Sequence, residues 1–291
     1  MPERKFVVSR ELYPFADHWF DYRGAAIHYV DEGKGMPVLM LHGNPTWSFL
    51  YRDVIKDVKD VCRAIAPDYP GFGFSEHPKD YGYTAREHSA AVEALIDHLR
   101  LDRFVLVVQD WGGPIGLSIA AKRPNAIAGL VILNTWAWPS RGGMLLFSHL
   151  MGDAFGRWLH RRFNFFAKKI VPSGIATASR KTAEVLKAYT DPFPTPESRI
   201  GTWVFPREIR MNNEWLAETE RGLSQLRGKP VEMVWAMKDP AFAKKPIMDH
   251  WQSIFPGAPI ERIEHARHFI QEDAPDRIAA AIRRVLRLTN R

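Results

Sequence analysis

The 291-residue sequence contains a single cysteine, Cys62, so it cannot form an intramolecular disulfide. This usage is typical of a reducing compartment, and we predict a cytoplasmic location. No stretch approaches the 18 consecutive apolar residues of a membrane-spanning helix. The first residues also lack the apolar segment of a secretory signal. Repeats and low-complexity tracts are absent from the sequence.

The composition is that of an ordinary globular protein, with 46% hydrophobic, 25% charged and 12% aromatic residues. Disordered, collagen-like and coiled-coil chains need a much stronger bias, so those classes are excluded. Lys and Arg number 40 against 33 Asp and Glu, a formal net charge of +7. We therefore predict one or two globular domains with a moderately basic surface.

Short apolar runs alternate with helical patterns in the first and last parts of the chain, which favours βαβ units and a mostly parallel sheet. The alternation breaks at about Trp136 and resumes at Pro230. We predict an α/β fold with helices flanking the sheet, divided into a core over 1–137, a helical cap over 138–225 and further core over 226–291. The predicted strands cover 25–33, 37–43, 61–68, 104–110, 127–133, 230–237 and 260–263, and the helices 85–99, 115–122 and 275–288.

A candidate nucleophile lies in the turn Gln109-Asp-Trp-Gly-Gly113, which follows the most apolar strand and opens a helix. Serine hydrolases carry G-x-S-x-G at such a turn, and here Asp110 takes the serine position. A carboxylate there can attack carbon directly and form an ester. On its own this motif is weak, because an aspartate after a strand is more often a helix cap or a turn residue.

A second loop, His42-Gly-Asn-Pro45, follows another buried strand and should reach the same edge of the sheet. A glycine-containing loop at that edge can direct a backbone N–H into a site and form half of an oxyanion hole. An ordinary turn built from Gly, Asn and Pro is an equally good interpretation.

The remaining catalytic candidates are a histidine and an acid late in the chain. α/β-Hydrolases carry nucleophile, acid and histidine in that order, which suits Asp239 and His268. His265 competes with His268, whereas no carboxylate follows the strand at 127–133 to compete with Asp239. Asp68 is better interpreted as a turn residue.

Together these motifs resemble those of the haloalkane dehalogenases, members of the α/β-hydrolase superfamily. The resemblance spans nearly the whole chain, and the combination is far more specific than any single motif. It is strongest for the family's third subgroup, which pairs an Asp-His-Asp triad with halide ligands from Asn and Trp. The matching segments are His42–Arg52, Gln109–Pro114, Asn134–Pro139, Arg161–Phe166, Met237–Asp239 and His268–Pro275.

The resemblance implies that Asp110 displaces halide and forms an alkyl ester, which His268, supported by Asp239, then hydrolyses. The indole of Trp111 and the amide of Asn44 would bind the halide, and their backbone N–H groups would form the oxyanion hole. Some relatives draw a second halide-binding Trp from the cap, where this chain aligns Phe165. An alcohol, halide and a proton would be released, with no metal and no organic cofactor.

Epoxide hydrolases resemble the same motifs and are the alternative, but they usually employ two cap tyrosines, and the cap contains only Tyr189. Fluoroacetate dehalogenases typically carry Arg where Trp111 stands, and a luciferase on this scaffold is a remote alternative. A non-catalytic binding protein on a hydrolase fold is a further alternative, disfavoured because all five site positions are consistent with one another.

The predicted partners are a small apolar halogenated substrate and the halide ion. A homo-oligomer is left open, whereas nucleic acid and membrane partners are not expected. The basic cap residues are more typical of a solvated or interface face: Arg157, Arg161, Arg162, Lys168 and Lys169. Most of the cap aromatics should pack against the core, and a minority should line an apolar pocket: Phe147, Phe155, Trp158, Phe163, Phe165 and Phe166.

Overall fold

A computed structural model describes residues 2–289 and contains one eight-stranded sheet within that range. The strand order is β1-β2-β4-β3-β5-β6-β7-β8. The first two strands run antiparallel to their neighbours, and β3–β8 are parallel to one another. The strands are β1 His18–Tyr22, β2 Ala25–Gly33, β3 Pro37–Leu41, β4 Arg63–Pro67, β5 Phe104–Val108, β6 Ile127–Ile132, β7 Val231–Ala236 and β8 Ile260–Ile263.

Helices cover both faces of the sheet and fill the interval between β6 and β7. Those of the sheet region are α1 Arg52–Val58, α2 Ala85–His98, α3 Gly112–Lys122, α10 Lys245–Ile254, α11 Ile270–Asp273 and α12 Pro275–Thr289; those of the interval are α4 Gly143–Gly152, α5 Ala154–Phe163, α6 Val171–Ser173, α7 Ala183–Thr190, α8 Ile200–Met211 and α9 Asn213–Gly222. Short 3-10 turns occupy Ser48–Tyr51, Pro124–Ala126, Ala178–Arg180 and Leu223–Leu226, and Phe166–Ile170 forms one π-helical turn.

The central strands are buried along their whole length, as parallel strands covered by helices on both faces must be. The last helix, α12, turns Ile278, Ile282 and Val285 toward the sheet, spaced at one side of a helix, and it packs on α1, β6 and β7. A capping box between Thr84 and Glu87 begins α2. These features confirm the predicted α/β class.

The structure corrects several predicted boundaries. An edge strand, β1, was not predicted, because five residues of mixed polarity that pair antiparallel with β2 give little periodic signal. Helix α3 begins at Gly112 rather than at Ile115, and α10 was not predicted. None of the helices described within residues 2–289 is long and apolar enough to cross a bilayer.

The aromatic residues between β6 and β7 overturn a second prediction. Phe166 is buried, but Phe155 and Trp158 are each 54% exposed, Phe163 is 47% exposed and Phe147 40%. Four of the six predicted packing residues therefore face outward. Their sequence period shows which side of a helix they share, but it does not show whether that side meets the core.

Candidate active site

Asp110 forms a strained turn between β5 and α3. Its φ of 48° is left-handed, a conformation that costs an ordinary L-residue about 1–2 kcal/mol. Its backbone N–H donates to Asn134 O at 2.9 Å, and its own carbonyl accepts from Thr135 Oγ1 at 2.5 Å and from Gly113 N at 3.0 Å. These bonds hold the sharp turn that presents the carboxylate above the sheet edge.

Two glycines allow the chain to pass unusually close to this turn. A Cβ at Gly43 would lie 2.3 Å from Asp110 Oδ1, and one at Gly112 would lie 2.2 Å from Leu41 O. No real Cβ tolerates such distances, so a side chain at position 43 would displace the Asp110 carboxylate, and one at position 112 would displace the backbone of Leu41. Glycine is therefore required here for close approach.

The carboxylate of Asp110 receives two backbone donors. Asn44 N donates to Oδ1 at 2.9 Å, and the N–H of Trp111 also bonds to the carboxylate. Burial raises the pKa of Asp110, while His268 and these two N–H groups act in the opposite direction. Both predicted oxyanion-hole donors thus already contact an oxygen of the predicted nucleophile.

His42 fixes the loop that carries Asn44, a role that the sequence interpretation missed. Its Nδ1 lies 2.9 Å from Gly43 O, and its Nε2 accepts from Tyr69 N at 3.1 Å. Burial lowers the pKa of His42 to about 4, so the ring is neutral and Nδ1 carries the hydrogen. In the sequence, only the position of His42 after a buried strand could have indicated this structural role.

His268 lies between two carboxylates at the carboxyl edge of the sheet. Its Nδ1 is 2.9 Å from Asp239 Oδ2, and its Nε2 is 3.6 Å from Asp110 Oδ2. Asp239 is itself fixed, because its Oδ1 accepts from Ala241 N at 2.8 Å. Burial disfavours the charged imidazole, but Asp239 and Asp110 outweigh it and raise the pKa of His268 to about 9.

Gln109 is a further neighbour of His268 that the sequence interpretation did not single out. Its Nε2 donates to His268 O at 3.1 Å and lies 3.3 Å from His268 Nε2. The first bond identifies the amide end that faces the ring as the donor. A donor at this position favours an imidazole whose Nε2 carries a lone pair, the form in which it can accept a proton.

Aromatic rings flank Trp111, one of the two predicted halide donors, and helix α8 contacts both. The indole of Trp111 lies between Phe205 of α8, at 5.0 Å between centroids, and Trp136, at 4.9 Å. Asn44 Nδ2 donates one hydrogen to Thr202 O of α8 at 3.0 Å and has a second. The helical segment thus contributes directly to the environment of both donors.

A buried ionic cluster joins the segment after His268 to the helical region. Arg52 donates to both oxygens of Glu272, at 2.5 and 2.8 Å, and Tyr189 of α7 donates its hydroxyl to the same carboxylate. Arg180 approaches Glu272 at 3.4 Å. We call Arg52, Glu272, Tyr189 and Arg180 the Glu272 cluster.

The structure brings together the predicted site residues and leaves the competing candidates outside. His265 is exposed, and Phe165 lies against His160 and Phe166. Asp68 is fully buried and bonds Ser48 N, Phe74 N and the ring of His28, so it anchors a loop from inside the core. Within residues 2–289, no cluster of three His, Cys, Asp or Glu side chains could hold a metal ion.

The comparisons with known proteins agree with this geometry. A family model described as alpha/beta hydrolase fold matches residues 36–275, so the chain belongs to the α/β hydrolases. A haloalkane dehalogenase 2 of Mycobacterium tuberculosis is 43% identical over 95% of this chain and 97% of its own length. Within the α/β hydrolases, the chain therefore belongs to the haloalkane dehalogenase family, as the motifs predicted.

Two further proteins are similar to this chain, one in sequence and one in structure. A cis-3-alkyl-4-alkyloxetan-2-one decarboxylase of Shewanella oneidensis is 34% identical over 94% of this chain and 88% of its own length. The crystal structure of the haloalkane dehalogenase DbeA from Bradyrhizobium elkani has a TM-score of 0.86 at 25% identity, covering 95% of this chain and 99% of that one.

Proposed function

We propose that this protein hydrolyses haloalkanes to an alcohol, a halide ion and a proton. The observation that carries the proposal is the arrangement around Asp110: a carboxylate only 14% exposed, with two backbone donors on its oxygens, 3.6 Å from the ring of His268. The family relationship supports the same activity. We further propose that 138–225 forms a cap on a core made of 1–137 and 226–291.

In the first step, the carboxylate of Asp110 attacks the sp³ carbon that bears the halogen. A C–O bond forms as the carbon–halogen bond breaks, and the halide leaves with the bonding electron pair. The indole N–H of Trp111 and the free amide hydrogen of Asn44 bind the departing anion. Neutral, buried donors suit this task, since charge that develops away from water is stabilised strongly.

In the second step, water hydrolyses the alkyl ester. His268 accepts a proton from water, whose oxygen attacks the carboxyl carbon of Asp110, and Asp239 stabilises the resulting imidazolium. The negative charge that develops on the carboxyl oxygen is held by the N–H groups of Asn44 and Trp111. Collapse of this intermediate releases the alcohol and regenerates Asp110, which retains one oxygen from water.

The charge of Asp110, which is lost in the first step, affects the pKa of His268, which acts in the second. In the free protein, the charge of Asp110 helps to keep His268 protonated. Ester formation removes that charge, and the pKa of His268 falls. The imidazole can then lose its proton at the stage when a base is needed.

The epoxide alternative is weakened by the position of Tyr189. Epoxide opening would require a tyrosine hydroxyl in the pocket to donate to the oxygen, but the hydroxyl of Tyr189 donates to the buried Glu272. That hydroxyl is committed to the Glu272 cluster.

A second candidate function comes from the 34% identical decarboxylase. Attack of Asp110 on the ring carbon of an oxetan-2-one that bears the ring oxygen would expel a carboxylate. Loss of carbon dioxide would then form an alkene as the ester bond to Asp110 breaks. This route consumes no water, so it needs no base at His268.

Replacement of Asp110 by Asn tests the proposal, with halide release measured on brominated and chlorinated alkanes. The native chain should release halide, and D110N should lose this activity by roughly 10⁴-fold or more. Turnover in ¹⁸O-water should label Asp110 of the native chain. Absence of halide release by the native chain, with alkene formed from a cis-3,4-dialkyloxetan-2-one, would instead support decarboxylation.

A further inference from the structure

The basic residues of this protein are unevenly distributed along the chain. Residues 154–183 contain seven Lys and Arg and no Asp or Glu. These seven account for the whole formal net charge of +7, because the other 33 Lys and Arg equal the 33 Asp and Glu in number. Five of them lie on α5 and the turn that follows it: Arg157, Arg161, Arg162, Lys168 and Lys169.

The same part of the molecule exposes its largest apolar side chains. Six of the ten large hydrophobic residues that are exposed within residues 2–289 lie on α4 and α5: Leu146, Phe147, Leu150, Phe155, Trp158 and Phe163. The ring of Trp158 lies 6.2 Å from Phe155 and 5.2 Å from Phe163, so three of them form one surface cluster. We call the exposed apolar residues of α4 and α5, together with Arg157, Arg161 and Arg162 of α5, the aromatic-basic face.

A groove of about 670 Å³ adjoins this face between α5 and α8. The guanidinium groups of Arg157 and Arg207 lie 5.3 and 5.2 Å from the ring centroid of Trp203. Arg161 and Arg162 also line the groove. Guanidinium groups gathered in this way match phosphate oxygens. Two carboxylates lie at the groove and each is paired: Glu197 with Arg161 at 3.1 Å, and Asp153, which lines the groove, with Arg210.

We propose that the aromatic-basic face docks on the surface of an anionic lipid bilayer. Exposed Trp and Phe side chains interleaved with Arg and Lys are the combination that inserts at the boundary between headgroups and acyl chains. The groove would receive lipid phosphates. The proposal revises the sequence-based expectation of no membrane partner; it concerns the surface and requires no spanning helix.

A second copy of the chain is a poorer occupant of this face. In a two-fold symmetric dimer, the same patch meets itself, so Arg157, Arg161 and Arg162 would oppose their own equivalents. Like charges in an interface disfavour association, whereas anionic headgroups neutralise them.

Docking at this face would bring the bilayer close to the proposed pocket. Trp203 and Arg207 lie on the outer side of α8, while Thr202 and Phe205 of the same helix contact Asn44 and Trp111. Apolar substrates concentrate in lipid, so a protein docked through this face would encounter them at a higher local concentration. The docking itself does not depend on the proposed activity.

Vesicle flotation tests the proposal with the full chain. The native protein should float with vesicles of phosphatidylglycerol and phosphatidylcholine, and not with phosphatidylcholine alone. The variant R157Q/R161Q/R162Q should bind the anionic vesicles about 100-fold more weakly. A matched control, K34Q/K79Q/R221Q, removes three exposed charges elsewhere and should bind as the native protein does.

Two further variants separate charge from apolar insertion and from misfolding. R157K/R161K/R162K keeps the charge and should keep most of the binding, whereas W158S/F163S should weaken it. Failure of the native chain to float, or equal loss in the control variant, would overturn the proposal. So would a dimer seen by size-exclusion chromatography that the W158S/F163S variant dissociates. Because binding is measured without turnover, its failure and the failure of dehalogenation are separate results.

Discussion

Within residues 2–289, the histidine–aspartate pairs His268–Asp239 and His28–Asp68 have almost the same local geometry. His268 Nδ1 lies 2.9 Å from Asp239, and His28 Nδ1 lies 2.9 Å from Asp68. Nearby carboxylates outweigh burial in both places and raise the pKa of each histidine. The distance within the pair therefore does not distinguish a reactive dyad from a structural one.

The second ring nitrogen distinguishes them. His28 Nε2 is 3.2 Å from the partly exposed Asp17, so carboxylates contact both nitrogens of this fully buried ring. His268 Nε2 lies 3.6 Å from Asp110, beyond a normal hydrogen bond, at the edge where parallel strands end. A histidine can transfer protons only if one nitrogen is left free to exchange partners.

Replacement of each histidine by glutamine gives the largest expected contrast. In H268Q, the alkyl ester on Asp110 should form and persist, so turnover should fall roughly 10⁶-fold after one equivalent of halide is released. H28Q should keep its turnover and lose roughly 1–3 kcal/mol of unfolding free energy instead. Intact-protein mass spectrometry and urea unfolding measure the two outcomes. A stable adduct on H28Q would mean that His28 also acts in ester hydrolysis, and the proposed difference between the two histidines would be wrong.

The acids provide the next test. D239N should leave His268 in the wrong tautomer and reduce turnover roughly 10³–10⁴-fold, with the fold retained. D68N breaks a fully buried pair and should cost about 3 kcal/mol of stability, with turnover of the folded fraction unchanged. If D68N impaired chemistry as severely as D239N, the two pairs would not be functionally distinct.

The raised pKa of His268 predicts how stability depends on pH. Because it rises from an ordinary 6.5 to about 9, its contribution of about 3 kcal/mol is complete below pH 6.5 and lost as the pH passes 9. Urea unfolding of the native chain should show this decline, and D239N should show less of it. An equal decline in D239N would assign the effect to His28 or to another group.

Gln109 should give the smallest effect. Q109M removes the donor near His268 Nε2 and should slow ester hydrolysis about tenfold, the cost of one hydrogen bond, while the halide burst keeps its rate. Rapid-quench measurement of both phases checks this. Equal slowing of the burst would mean that Gln109 instead supports the position of Asp110.

The sequence predicted which residues meet at the sheet edge better than it predicted their surroundings. Asp110, Asp239 and His268 each follow a strand, and parallel strands bring such residues to one edge without any detail of packing. Gln109 and His42 could not be assigned roles, because their partners, His268 O and Tyr69 N, are distant in sequence.

The prediction for the aromatic residues between β6 and β7 was wrong for a related reason. Trp158 and Phe163 have the same composition signal whether they face the core or the solvent, and only the docking of α4 and α5 decides between the two. The edge strand β1 was not predicted because its extended conformation depends more on pairing with β2 than on the pattern of its own five residues.

The Glu272 cluster has a consequence for the construction of chimaeras. It joins Arg180 and Tyr189, from the helical segment, to Arg52 and Glu272, from the sheet region, through buried charges. Transplanting 138–225 into another member of the family would leave those groups without their partners unless the recipient carried the matching Arg and Glu. Grafts that begin after Tyr189 leave all four residues in place and keep these charges paired, although they replace the α8 residues that contact Asn44 and Trp111.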